Sequence, residues 1–137
     1  MKTGRFNAGV ALIMMAGYMV YGFLLIYLRD FAPDKEAWVA SYSVGKHFEA
    51  RLAHVHGNLF ALLNLALAFV LVRLTSASDR ARTAIAALGL AGLLMPAGIL
   101  GEVYLGLSPI FVLIGAFAMT ASVGLAGVVS LRHWGER

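Results

Sequence analysis

The sequence predicts an all-α integral membrane protein, a single domain built as a bundle of four transmembrane helices. Hydrophobic residues make up 61% of the 137 residues and charged residues only 13%, whereas about a quarter are charged in a typical soluble domain. Four apolar runs also reach the length of about 20 residues that a helix needs to cross the hydrocarbon layer. These runs and their connections use the whole chain, so we expect one domain over residues 1–137.

The four predicted spans cover residues 6–28, 51–74, 82–105 and 109–131. They must be helical, because in hydrocarbon every backbone polar group has to find its hydrogen bond within the segment. The first span is longer than the apolar region of a signal peptide and no A-x-A cleavage site follows it, so we expect it to be retained. Connections of about 22, 7 and 3 residues make the last three helices antiparallel neighbours. Pro96 is expected to kink the third span.

Basic residues at the ends of the spans predict the orientation of the bundle. Seven Lys and Arg residues lie on the side that holds both termini, against four on the side of the first connection. Since basic residues are enriched in cytoplasmic segments, we expect a multi-pass protein of the bacterial cytoplasmic (inner) membrane with both termini in the cytoplasm. The seven are Lys2, Arg5, Arg73, Arg80, Arg82, Arg132 and Arg137, and the four are Arg29, Lys35, Lys46 and Arg51.

The long first connection, residues 29–50, then lies outside the cytoplasm, and two structures are open for it. Trp38 and Tyr42 stand among its charged residues, which favours an amphipathic lid at the level of the lipid headgroups. The alternative is a plain solvated connector. His47, in the same connection, is expected to be solvated.

The charge balance and the absence of cysteine exclude several functions. The net charge of +4 comes from span ends and connections, which suits contact with anionic lipid headgroups and gives no indication of a nucleic-acid surface. Without cysteine, the chain has no disulfide, no thiolate metal site, no iron–sulfur cluster and no thioether-linked haem. Any haem must therefore be bound non-covalently.

Polar residues open the second span, in the stretch AHVHGNLFALLNLALAFVLVRL of residues 53–74. Polar side chains are costly inside a membrane, so they are candidates for function. We interpret a histidine here as a haem or metal ligand, with a proton-handling group and an interfacial anchor as alternatives. His54 and His56 lie on nearly opposite faces at ~100° per residue, so an unbroken helix cannot bring both to one iron.

Small and polar neighbours accompany these histidines. Asn58 follows His54 at a spacing of four and shares its face, and Ala61 follows Gly57 at the same spacing. Small residues beside a ligating imidazole would let a flat macrocycle approach the backbone. Asn64, near the middle of the span, is expected to form a hydrogen bond between helices.

The antiparallel order brings polar residues from three spans to one end of the bundle. Glu102, Tyr104 and Tyr21 are expected to surround one cavity with the histidines, open toward the outer leaflet. Glu102, the only acid within a predicted span, can orient a ligating histidine, donate a proton, or pair with Arg51 or Arg29. Tyr104 can hydrogen-bond a substrate oxygen or belong to an interfacial aromatic belt.

The run RLAHVHGNLFALLNLALAFVLV resembles the second helix of the styrene oxide isomerases, small four-helix membrane proteins that carry haem b and convert an epoxide to an aldehyde. The resemblance continues through PAGILGEVYLGLSP and IFVLIGAFAMTASVGLAGVVSL, over about the last two thirds of the chain. It implies that His54 ligates the iron and that Tyr104 assists the substrate. It also implies ferric haem acting as a Lewis acid on the epoxide oxygen, and a trimer with the haem close to subunit contacts.

Two positions depart from that family. Its asparagine about a turn and a half beyond the ligand corresponds to Phe60 here, and its acid eight residues before the tyrosine corresponds to Pro96. Asn58 and Glu102 are the residues that can replace them.

Three functions remain open. The first is an isomerase in which haem b acts as a Lewis acid on a hydrophobic epoxide. The second is a small haem protein that binds a gas or transfers electrons, alone or in a larger complex, with His56 or a methionine as second axial ligand. The third is a structural membrane protein without a cofactor.

Expected partners are a hydrophobic small molecule, membrane lipids and further copies of the chain. The expected site comprises Tyr104, Glu102 and Asn58 as catalytic residues, and His54, His56, Gly57 and Arg51 as cofactor-binding residues.

Overall fold

The computed structural model describes residues 2–133, with side chains described from residue 4 onward, and this part of the chain forms six helices. They are α1 (Lys2–Asp30), α2 (Lys35–Ala40), α3 (Gly45–Arg73), α4 (Asp79–Gly92), α5 (Leu94–Leu105) and α6 (Ile110–His133). No strand is formed between residues 2 and 133. The all-α prediction is therefore confirmed.

Four helical passages are long and apolar enough to cross a membrane. They are Gly4–Asp30, Gly45–Arg73, Asp79–Leu105 and Ile110–His133, so each predicted span is confirmed as a helix. α3 starts before the predicted boundary at residue 51, because the helix continues through polar residues whereas the prediction followed apolar ones. Lys2 and Arg137, two of the residues that predict the orientation, lie outside the described side chains, and the orientation stays a prediction.

The third passage is interrupted at Leu93, three residues before Pro96. Proline has no N–H to donate to the carbonyl of Gly92, four residues back, and α4 ends at Gly92. The chain resumes as α5, with Pro96 in its first turn, where an N–H has no partner within the helix. The interruption agrees with the kink predicted from Pro96.

α3 contacts α1, α4, α5 and α6, and its contact with α1 is the most extensive in the bundle. Glycines allow close approach between the helices. The ring of Tyr18 in α1 lies on Gly57 of α3, and the backbone of Met95 in α5 lies on Gly115 of α6. A methyl group at either glycine would collide with these neighbours, so the two glycines set the spacing of their helices.

Buried polar side chains join four helices in the half of the bundle away from α2. Asn64 of α3 donates to the backbone oxygen of Gly89 in α4 at 2.8 Å and accepts from Asn7 of α1 at 3.3 Å. Ser122 of α6 donates to the backbone oxygen of Ile85 in α4 at 2.7 Å. The prediction that Asn64 bonds between helices is confirmed.

The first connection is folded onto the bundle. No residue of α2 is fully buried, but the ring of Trp38 stacks on the ring of His47 in α3, with 4.5 Å between centroids. The connection is thus anchored to α3, which favours a lid over a plain solvated connector. We call this end of the bundle the α2 end.

Candidate functional site

A cavity between α1 and α3 at the α2 end brings one predicted histidine together with basic side chains. Its volume is about 460 Å³, within the range of small-molecule sites. We call it the His54 cavity. Its lining residues are Met19, Gly22, Phe23, Leu25, Ile26, Arg29, Tyr42, His47, Arg51 and His54.

His54 is held by a backbone carbonyl of the neighbouring helix. Its Nδ1 lies 2.8 Å from the backbone oxygen of Tyr18 in α1. A carbonyl oxygen can only accept, so Nδ1 must carry the proton, and in the neutral ring Nε2 then has a free lone pair. Nε2 receives no hydrogen bond from the residues that the structure describes. It is therefore the nitrogen of His54 that can bind a metal.

Gly22 of α1 provides the space for this imidazole. A Cβ at Gly22 would lie 2.6 Å from Cε1 of His54 and 3.3 Å from each ring nitrogen. Only glycine leaves room for the ring at this distance from the α1 backbone. The sequence reasoning missed Gly22, although a glycine in the first span at the depth of His54 was a signal for close helix contact.

Two arginines line the cavity near the first connection. The guanidinium of Arg51 lies 3.7 Å from the ring centroid of Tyr42, and its Nη1 donates to the backbone oxygen of Tyr42 at 3.2 Å. Arg29 forms an ion pair with Asp30 at 2.7 Å. No carboxylate among the described residues pairs with Arg51, and the cavity lining contains no acid. Arg51 is thus a cation without a protein counter-ion in this part of the chain.

His47 is not solvated, contrary to the prediction. It is 3% exposed, its Nδ1 lies 2.7 Å from the backbone oxygen of Trp38, and the ring of Tyr42 meets it edge-on at 5.2 Å. The prediction placed His47 in a connection, whereas α3 already begins at Gly45. His47 therefore lies on the same helix face as His54, seven residues away, and lines the same cavity.

Tyr21 and Tyr104 form a hydrogen-bonded pair beside His54. Their hydroxyl oxygens are 2.9 Å apart, and the ring centroid of Tyr21 lies 6.4 Å from that of His54. The structure thus brings Tyr104 of α5 near His54 through one intermediate residue. Neither tyrosine lines the His54 cavity, so that cavity does not enclose all of the expected groups.

Gly57 and Asn58 have structural contacts. The ring of Tyr18 occupies the space at Gly57, where the sequence analysis placed an approaching macrocycle. Asn58 donates from Nδ2 to the backbone oxygen of His54 at 2.9 Å, within α3. Its described contact therefore stabilises the turn that carries His54.

His56 and Glu102 lie away from the cavity. His56 points Nδ1 at the backbone oxygen of Leu52, 2.9 Å away in its own helix, and its ring meets Phe60 at 6.2 Å. Its surroundings differ from those of His54, as expected from their opposite faces. Glu102 is exposed and forms no hydrogen bond or ion pair with the described residues, so the expected pairing with Arg51 or Arg29 is not formed.

The donor set at His54 limits the metal site that this chain can build. Within residues 2–133, no three His, Asp or Glu side chains are grouped so that they could hold a metal ion. A metal at His54 would therefore take its further ligands from outside these side chains, and the ring nitrogens of a haem are one such set. No protein-family model matches the chain, and neither a curated protein nor a solved structure matches it.

Proposed function

We propose that this chain binds haem b non-covalently through Nε2 of His54 and isomerises a hydrophobic epoxide to a carbonyl product. The observation that carries the proposal is the hydrogen bond from Nδ1 of His54 to the backbone oxygen of Tyr18, because it selects the tautomer whose Nε2 can bind iron. Metal-ligating histidines are typically oriented by such a bond from the other ring nitrogen. The epoxide chemistry comes from the resemblance of His54, Tyr104 and their neighbours to the styrene oxide isomerases.

The residues of the His54 cavity fit a flat macrocycle with one protein ligand. Met19, Phe23 and Ile26 give it apolar walls, and Arg51 gives its other end a positive charge. His47 and His54 are separated by about 10 Å along the helix axis, too far apart to share one ion. When bound there, ferric haem supplies a Lewis acid for the oxygen of an epoxide.

The protein's own contribution is to hold the ligand and exclude water. Gly22 leaves space for the imidazole of His54, and Asn58 donates a hydrogen bond to the backbone oxygen of His54. In a bilayer, lipid against the exposed side chains of Met19 and Phe23 would keep water from this side of the site, so that an epoxide would rearrange within the molecule and not be hydrolysed.

Tyr104 is the residue that we assign to the reacting oxygen, by the same resemblance. Its hydroxyl already has a partner in Tyr21, which holds the phenol in one position. Tyr104 does not line the His54 cavity, so its assignment rests on the resemblance and not on the geometry of the cavity. We assign no role to Glu102, which has no described contact with His54, or to His56.

A second candidate function is electron transfer by a haem with two axial ligands. The observation that favours it is Met19, which lines the His54 cavity and carries a thioether. Histidine and methionine together are the axial ligands of many electron-transfer haems, and such a pair leaves no coordination position for a substrate.

The orientation and assembly belong to the same proposal. Arg5, Arg73, Arg80 and Arg82 lie at the end of the bundle opposite α2, which supports cytoplasmic termini in the bacterial inner membrane. The His54 cavity would then open toward the outer leaflet. We propose a homo-oligomer, a trimer by the resemblance.

The visible spectrum of the detergent-solubilised protein tests the proposal. We expect ferric haem to give a high-spin Soret band that shifts with azide or with a hydrophobic epoxide. His54→Ala should abolish haem binding, because the imidazole proposed to bind the iron is lost. His56→Ala is the matched control and should retain most of the haem, since its ring lies outside the cavity.

A low-spin spectrum that does not respond to ligands would favour electron transfer over isomerisation. Haem retained equally by both single variants would remove His54 as the ligand. A wild-type protein that takes up no haem would overturn the proposal.

A further inference from the structure

We propose that His47 and Arg51 form a carboxylate-binding subsite at the α2 end of the His54 cavity, which holds the carboxylates of the macrocycle whose metal is bound by His54. This inference rests on the proposed function. In the proposed function, His54 binds the metal of the cofactor; here, His47 and Arg51 bind its charged edge.

Arg51 supplies the first argument, because its charge is oriented but not neutralised. The Tyr42 ring and backbone oxygen fix the guanidinium, yet no carboxylate of the described chain pairs with it. A half-buried cation next to apolar walls gains from an anionic partner, and a guanidinium fork matches a carboxylate well. Arg29, across the cavity, already has Asp30 as its partner, so Arg51 is the stronger anion ligand.

His47 supplies the second argument, because it is almost completely buried and only one of its ring nitrogens is used. Trp38 stacks on the ring and accepts from Nδ1 at 2.7 Å, which fixes the ring in one orientation. Nε2 forms no hydrogen bond with any residue between 4 and 133, although His47 lines the cavity. A carboxyl group can share one proton with this nitrogen, whether the proton resides on oxygen or on nitrogen.

The spacing along α3 supplies the third argument. Arg51 and His47 precede His54 by three and seven residues, which corresponds to about 4.5 Å and 10.5 Å of helix rise on one face. Both lie toward α2, while the cavity wall nearer the bundle centre is formed by apolar side chains such as Met19. A ligand with iron at His54 therefore has its polar edge at His47 and Arg51 and its apolar edge away from them.

Two forms of the macrocycle test this subsite in the purified full-length protein. Ferric protoporphyrin IX and its dimethyl ester have the same iron and ring, but the ester has no ionisable carboxyl groups. We expect the wild type to bind the diacid at least tenfold more tightly than the ester, measured by titration of the Soret band. Arg51→Gln and His47→Asn should each reduce this preference several-fold. Asparagine places an amide N–H near the position of Nδ1, so it preserves the bond to Trp38.

Matched variants separate the subsite from the iron ligand. Lys46→Gln removes an exposed cation next to His47 and should leave the preference unchanged. His54→Ala should abolish the binding of both forms, because it removes the proposed iron ligand. Equal affinity of the wild type for diacid and ester would overturn the subsite and leave the haem proposal intact. Failure to bind either form would overturn both proposals.

Discussion

At the scale of single residues, the imidazole of His54 is positioned by two features of α1 that carry no reactive group. The backbone oxygen of Tyr18 selects the tautomer, and the missing side chain of Gly22 provides the space. Both act on the ring itself and both lie on a helix other than that of His54. The geometry of the proposed ligand therefore depends on the contact between α1 and α3.

Gly22→Ala tests this dependence. The added methyl would lie 2.6 Å from Cε1 of His54, so the ring must move and the bond to Tyr18 must weaken. We expect haem affinity to fall at least tenfold, and overpacking to lower the free energy of unfolding by about 1–3 kcal/mol. Haem titration and thermal unfolding measure the two effects.

Gly17→Ala is the control for that substitution. It makes the same change in the same helix, where no atom lies within 4 Å of the new methyl. Stability should stay constant or rise slightly, because alanine favours helix, and haem affinity should not change. If both variants bind haem as tightly as the wild type, Gly22 has no part in seating His54.

At the scale of helices, α3 combines two kinds of polar residue at its two ends. Asn64 bonds to α1 and α4 in one half, and His47, Arg51 and His54 line the cavity in the other. The first set stabilises the packing of the bundle, which is the frame that keeps α1 against α3. The cavity residues face a space that the other helices leave open.

Asn64→Ala should therefore destabilise the bundle without removing a cavity residue. It deletes a hydrogen bond to Gly89 and one from Asn7, and interhelical bonds of this kind contribute about 0.6 kcal/mol each on average. With the lost packing, we expect unfolding in detergent to become easier by about 1–2 kcal/mol. Asn58→Ala, which removes an amide bonded only within α3, should cost less. A larger loss for Asn58→Ala would contradict this division.

The sequence predicted the helices and the separation of the two histidines, because both follow from local rules. Apolar length located the four passages, Pro96 indicated the interruption, and the angle per residue separated His54 from His56. Helix partners are not encoded locally. For this reason Gly57 was assigned to a macrocycle although it receives the Tyr18 ring, and Gly22 was overlooked.

The burial of His47 was missed for a related reason. The prediction began the second span at residue 51, where the apolar run begins. α3 begins earlier, at Gly45, so His47 lies within the helix and lines the cavity. A stacking partner in α2, Trp38, then replaces water around the ring. Charged residues such as Lys46 lie on the exposed face of the same turn, so the sequence around His47 resembles that of a solvated connection.

At the scale of the whole molecule, the bundle has a polar core at one end and a cavity at the other. The four apolar passages suit a membrane, and the wall residues Phe23 and Met19 are 69% and 57% exposed in the single chain. Lipid or a second copy of the chain would therefore complete the cavity wall around a bound macrocycle. In the proposed orientation, a hydrophobic substrate would reach this wall directly from the bilayer.

The central claim is that Nε2 of His54 binds the iron of a haem, and rescue of His54→Gly by imidazole tests it most directly. This variant removes the ligand and leaves a space into which free imidazole can enter. We predict that the variant has no wild-type Soret band in the absence of imidazole and regains it when imidazole is added, while His56→Gly has the wild-type spectrum throughout. A His54→Gly protein that shows the wild-type haem spectrum without imidazole would contradict the account.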